Sequence, residues 1–190
     1  MHLSPRFSEA FVWAANLHRD QVRKGPKSIP YLGHLLAVAS TVIDFGGTED
    51  EAIAALLHDA VEDQGGAPTL AMIRRLFGPA VADIVDGCTD TDQQPKPPWQ
   101  LRKERYIAHL AEASPSVLLV AAADKLANAR SILIDMREVG AAVWDRFHCT
   151  PQQSLWYYRT VVETLRSTPV NRQLLAELDQ TVTALEQAAK

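Results

Sequence analysis

The sequence predicts an all-α fold, a compact bundle of many helices in one domain spanning residues 1–190. Three observations predict it. Apolar residues recur at three- and four-residue intervals along most of the chain, helix-start and helix-stop signals cut that pattern into segments, and no stretch shows the period-two alternation of a half-buried strand. A chain of 190 residues has room for one domain with a substantial core.

The elements follow in order. Ser4-Pro5 suits a helix N-terminus, and Phe7, Ala10, Phe11, Ala14, Leu17 and His18 then repeat on one face. The basic stretch Arg23–Pro30, with Gly25, Pro26 and Pro30, reads as a loop. A second helix runs from Tyr31 to about Phe45 and stops at Gly46-Gly47. Thr48 caps a third, with Glu51 completing a capping box, and that helix carries Ile53, Ala54, Leu56 and Leu57 to about Asp59. Gly65-Gly66 and Pro68 make a break. Short helices are expected over Thr69–Phe77 and Pro79–Asp86, then a polar, proline-rich loop over Gly87–Pro98. Helix resumes over Trp99–Ala113. Ser114-Pro115 opens a long helix, VLLVAAADKLANARSILIDM, whose first turns are apolar all round and therefore belong in the core. Helices over Pro151–Arg166 and Val170–Ala189 close the chain.

Composition excludes several classes of function. The apolar fraction is 47%, the charged fraction 22% and the formal net charge -4, an ordinary soluble balance with no basic surplus for a nucleic-acid polymer. A local cationic cluster for a small anionic ligand is compatible with that charge. The N-terminus has no signal-peptide pattern, and no apolar run approaches a membrane span, so a cytoplasmic location is expected. Cys88 and Cys149 form no metal-binding pair and are expected to be reduced.

Chemistry gathers in three tracts. AIAALLHDAVED places His58-Asp59 after an apolar run, with Glu62-Asp63 behind; alone, the pair is equally a helix end with a dipole-facing histidine. PYLGHLLAVAS puts His34 on a helix with Ala37 and Val38 inward. VAAADKLANARS sets Asp124 in the most apolar helix of the chain, where a carboxylate is costly unless paired or bound to a cation. Lys125 is adjacent, but neighbouring helical side chains diverge by about 100°, so local pairing does not meet that cost.

His34, His58, Asp59 and Asp124 together offer two imidazoles and two carboxylates to a divalent ion, a mixed donor set that suits Mn, Fe or Zn better than Ca or Mg. Four protein ligands leave room in a six-coordinate shell for water and substrate, as catalysis requires. Glu62, four residues after His58, and Asp63 either orient and deprotonate a water or are exposed acids at the start of a loop. Arg19, Arg23, Lys24 and Lys27 supply candidate phosphate contacts, Lys27 fitting a solvated loop better. Asn128 falls one turn after Asp124 on the same face. Trp156, Tyr157 and Tyr158 suit core packing, with one ring near a pocket.

The succession HRDQVRKGPKSIPYLGH, ALLHDAVED, LFGPAVADIVDGCTD and ADKLANARSI resembles the hydrolase domain of RelA/SpoT-type proteins, most closely the stand-alone small alarmone hydrolases, from about Arg6 to Ile132. The resemblance implies an HD-domain fold, a bound Mn2+ ion, and removal of the 3′-pyrophosphate from guanosine tetra- or pentaphosphate to leave GDP or GTP. It also implies His34, His58, Asp59 and Asp124 as metal ligands, Glu62-Asp63 as the acidic catalytic pair, Arg23 and Lys24 as substrate contacts, and Asn128 in the nucleotide pocket. Two features depart from the family: Ala121-Ala122-Ala123 stands where a lysine is frequent, and Trp156–Tyr158 does not align with the family's pocket tyrosine. The alternatives are an HD phosphohydrolase acting on another nucleotide, such as an adenosine alarmone or NADPH, and a nucleotide-binding regulator without turnover.

Overall fold

The structure is a computed structural model, and it describes residues 2–25, 27–91, 93 and 95–190. Positions 26, 92 and 94, within the two expected loops, lie outside the described residues. Among the described residues there is no strand, only an isolated bridge between Val22 and Pro30, so the all-α expectation holds.

α1 (Pro5–Leu17) starts where Ser4 accepts the Arg6 N–H. α2 (Leu32–Asp44) ends before Gly46, whose φ of 81° is open to glycine at little cost. α3 (Glu49–Leu57) opens on the expected capping box: Thr48 accepts the Glu51 N–H, and the Glu51 carboxylate takes the Thr48 N–H at 2.6 Å. A turn at His58-Asp59 leads into the single-turn α4 (Ala60–Asp63). α5 (Ala67–Phe77) and α6 (Pro79–Cys88) meet at Gly78. α7 (Trp99–Leu110), α8 (Pro115–Val139), α9 (Pro151–Arg166) and α10 (Arg172–Ala188) follow.

Two details differ from the sequence reading. Pro68 does not break a helix but lies in the first turn of α5, where its missing N–H has no partner to lose. A 3-10 helix over Gly140–Arg146 was not anticipated, because seven residues are too few to display a period.

α8 is the axis of the molecule, packing against α2, α3 and α6 as well as α9 and α10. Every residue from Val117 to Asp124 is buried, as an all-round apolar segment requires. The main core draws on all ten α-helices, α7 through Tyr106 and Leu110, and a smaller cluster gathers Ile132, Met136, Val143, Trp144 and Leu185 where the 3-10 helix meets α8 and α10. No helix of the described residues is long and apolar enough to cross a membrane.

The α9–α10 pair is tied by Arg159, which donates to both oxygens of Glu186 at 2.9 and 2.7 Å and to Asp179 at 2.6 Å. The guanidinium hydrogen bonds hold the Glu186 carboxyl below its usual value of 4.5, against a smaller opposing effect of burial. Because the folded-state pKa is depressed, the stabilisation is present above pH 4.5 and is lost as pH falls through the folded value. Arg159→Met should therefore cost about 1 kcal/mol near neutrality, and the cost should vanish in acid; thermal melts of both proteins across pH 3 to about 7 check the convergence.

Candidate active site

His34 is delivered by the first turn of α2, His58 and Asp59 by the turn after α3, and Asp124 by the buried half of α8. Their polar atoms converge. His34 Nε2 lies 3.2 Å from Asp124 Oδ1 and 3.5 Å from Asp59 Oδ2, and His58 Nε2 lies 3.0 Å from Asp59 Oδ2 and 3.6 Å from Asp124 Oδ1. Ligand atoms of His34, His58 and Asp59 all fall within 4.8 Å of one another.

His58 Nδ1 donates to the Ala55 carbonyl at 2.8 Å, which fixes its tautomer and turns the Nε2 lone pair toward the carboxylates. Both Nε2 atoms are buried and make no hydrogen bond among the described residues. Buried imidazoles aimed at two acids and unsatisfied by protein fit a cation, and the N2O2 donor set fits a borderline divalent ion. Electrostatics agree. Burial alone would lower the His58 pKa, but Asp59 and Asp124 together hold it well above its ordinary value.

Asp124 requires one correction to the sequence reading. The Lys125 stem folds back so that Nζ reaches Asp124 Oδ2 at 2.5 Å, because a four-carbon chain spans the angle that separates adjacent Cα–Cβ bonds. Burial pushes the Asp124 carboxyl up, and Lys125 with the two histidines outweighs it and holds the pKa well below the usual range. Asn128 Nδ2 donates to Asp124 Oδ1 at 2.5 Å, one helical turn on, as the i, i+4 spacing implies. A second correction concerns the face of His34. Its inward neighbours are Leu35 and Val38, whereas Ala37 is exposed.

Glu62 and Asp63 are placed differently from the ligands. Both sit on α4, with Glu62 accepting from Lys96 at 2.8 Å and Asp63 from Gln21 at 2.8 Å. α3 ends at Leu57, so His58 and Glu62 do not share one continuous helix, although the Asp63 N–H still bonds the Asp59 carbonyl at 3.0 Å. Burial first, and then the Asp59 charge, raises the Asp63 pKa, which moves this carboxylate toward the range useful to a base.

A cavity of about 250 Å³ opens beside the cluster and reaches it through Tyr31, Lys125 and Asn128. Arg23 and Lys24 line it from the basic loop, and Arg23 donates to Asn128 Oδ1 at 3.1 Å. Arg19 and Lys27 do not line it: Arg19 bonds Asn16 at 2.8 Å, and Lys27 pairs with Glu138. Tyr157 and Tyr158 are in the wall, while Trp156 is 37% exposed and outside it.

Sequence reasoning missed Tyr31, whose hydroxyl donates to Asp59 Oδ2 at 2.5 Å and whose ring meets His34 edge-on at 5.3 Å. Its position three residues before His34 was the available signal. Gln21, which links His18 to Asp63, and the cavity residues Trp99, Lys103 and Arg146 carried no local signal. Both cysteines are free, as expected.

Comparison with known proteins places this geometry. The HD-domain family model matches residues 10–146. The guanosine-3′,5′-bis(diphosphate) 3′-pyrophosphohydrolase of Drosophila melanogaster is 34% identical over 173 residues, 90% of either chain. The human protein of the same name is 35% identical over 168 residues, 87% of either chain. A solved structure described as a metazoan ortholog of SpoT that hydrolyzes ppGpp superposes with a TM-score of 0.80 at 30% identity, covering 100% of this chain and 99% of that one. The chain thus belongs to the HD-domain family, among these RelA/SpoT-type relatives.

Proposed function

We propose that the protein is a metal-dependent pyrophosphohydrolase that removes the 3′-pyrophosphate of guanosine 3′,5′-bis(diphosphate), or of the pentaphosphate, leaving GDP or GTP. The observation that carries this reading is the convergence of His34, His58, Asp59 and Asp124 beside a cation-lined cavity, in a chain whose relatives of that name match it almost end to end. Residues 1–190 act as one unit in the cytoplasm, and Mn2+ is the resident ion.

His34, His58, Asp59 and Asp124 hold the cation, which when bound supplies Lewis acidity to a phosphoryl oxygen and acidifies water. Tyr31, Lys125 and Asn128 orient the two carboxylates through the hydrogen bonds described above, so that their free lone pairs face the imidazoles. Arg23 and Lys24 bind the 3′-pyrophosphate and neutralise charge that grows on its oxygens. Glu62 and Asp63 accept the proton of the attacking water. Water oxygen bonds to the phosphorus joined to O3′, the bond from that phosphorus to O3′ breaks, O3′ takes up a proton from solvent to become the free 3′-hydroxyl of GDP or GTP, and pyrophosphate departs.

The test is hydrolysis in Mn2+-supplemented buffer with GDP and pyrophosphate quantified, run beside the adenosine counterpart, NADPH and ordinary nucleotides. Equimolar GDP and pyrophosphate from the guanosine substrate is the expected result. Cleavage of another nucleotide in its place would overturn the substrate, and binding without any product would overturn the enzyme.

A further inference from the structure

The two acids proposed to take the proton of the attacking water are anchored by different means. Glu62 accepts from Lys96, an exposed side chain of the loop before α7. Asp63 accepts through Oδ2 from Gln21 Nε2 at 2.8 Å, and behind Gln21 stands a buried histidine that takes no part in the metal cluster.

Gln21 lies between α1 and the basic loop, and its backbone is fixed on both sides. Its N–H donates to the His18 carbonyl at 3.1 Å, and its carbonyl accepts the Tyr31 N–H at 2.9 Å. The side-chain amide meets three groups. Oε1 is 2.7 Å from His18 Nδ1 and accepts from Gln64 Nε2 at 2.6 Å, while Nε2 faces Asp63. One placement of hydrogens satisfies all three. A carboxylate can only accept, so the Gln21 NH2 must face Asp63, its oxygen must face His18 and Gln64, and His18 Nδ1 must carry its hydrogen. An amide turned by 180° would set oxygen against the carboxylate and NH2 against two donors.

His18 is 2% exposed, and its ring stacks on Tyr31 with centroids 5.6 Å apart. Its Nε2 is buried and makes no hydrogen bond among the described residues. A phenylalanine would make the same stack and leave no orphan nitrogen, so what the imidazole adds is the Nδ1–H given to Gln21.

We infer that Gln21, locked in one orientation by His18 and Gln64, is a positioning residue that aims the Asp63 carboxylate for proton transfer. The inference rests on the role proposed for Asp63. A base needs a free lone pair held in line with the proton it takes. Gln21 tethers Oδ2, and Oδ1 accepts no hydrogen bond among the described residues, Lys96 Nζ standing 3.9 Å away. The carboxylate is thus held at one oxygen and open at the other.

The test measures turnover, metal content and melting temperature on whichever nucleotide the parent cleaves. Gln21→Met keeps the side-chain length and removes the amide; its kcat should fall about tenfold with KM and metal content near the parent values. Placed on Asp63→Asn, the same substitution should lower kcat by no more than about twofold further, since a side chain that cannot take a proton gains nothing from being aimed. His18→Phe/Gln64→Met keeps the stack on Tyr31 and frees the amide to turn, so it should show about three- to tenfold loss of kcat, and it decides the question if Gln21→Met does not fold. A raised KM with kcat unchanged would make Gln21 a support of the loop that carries Arg23 and Lys24, and overturns the inference. A tenfold loss repeated in full on Asp63→Asn overturns it as well. The two readings fail separately: an active parent that needs Asp63 but keeps its kcat in Gln21→Met sinks the positioning role alone, whereas a parent without turnover, or an Asp63→Asn variant as active as the parent, sinks the proposed chemistry and this role with it.

Discussion

Asp124→Ala should release the metal and lower hydrolysis by about a thousand-fold or more, since the cation supplies several kcal/mol of transition-state stabilisation. The same substitution should also destabilise the fold. Asp124 is the carboxylate that Lys125 meets inside the protein, and both side chains are mostly buried, at 9% and 13% exposure. Removing one partner of such a pair strands the other, a loss of about 3–5 kcal/mol. The two consequences can be separated with Asp124→Ala/Lys125→Met, which removes the stranded charge. That double variant should regain much of the lost melting temperature and none of the metal. Metal content by elemental analysis, pyrophosphate release and thermal melting give the three readouts. Retention of bound Mn2+ and of turnover by Asp124→Ala would sink the proposed metal centre.

Glu62→Gln/Asp63→Asn should lower kcat by about 10²–10⁴-fold while metal content and melting temperature stay near the parent values, because neither residue ligates the cluster and both are partly exposed. The pH profile gives the role. A base must be ionised to act, so kcat/KM should fall as pH falls through its pKa, and burial together with the Asp59 charge puts Asp63 above the ordinary aspartate value. Asp63→Asn should move or abolish the acidic limb of the parent profile. A double variant that turns over like the parent would leave Glu62 and Asp63 as surface acids, held by Lys96 and Gln21 for structural reasons only.

Legibility in the sequence divided along physical lines. The capping box at Thr48-Glu51, the Ser-Pro start of α8 and the apolar run beyond it were readable, because each depends on residues three or four positions apart. The same holds for Asn128 on Asp124, one helical turn away. His34, His58, Asp59 and Asp124 were recognised as a set from chemistry and family resemblance, and the structure brings their ligand atoms together. Lys125 was misread because backbone angle is a poor guide to where a long flexible side chain ends.

By itself, then, the sequence determined the longer helices, the family and the four residues that meet at the cluster, since these follow from local spacing and from motifs in their order along the chain, whereas the single-turn α4 and the 3-10 helix were too short to show a period. Only the tertiary structure decided that Tyr31 supports Asp59, that Glu62 and Asp63 sit beside Lys96 and Gln21, and that Lys103 joins the cavity with Asp90 behind it. Those contacts join side chains from different helices. Their positions are set by how the helices pack around α8, and no local periodicity encodes that.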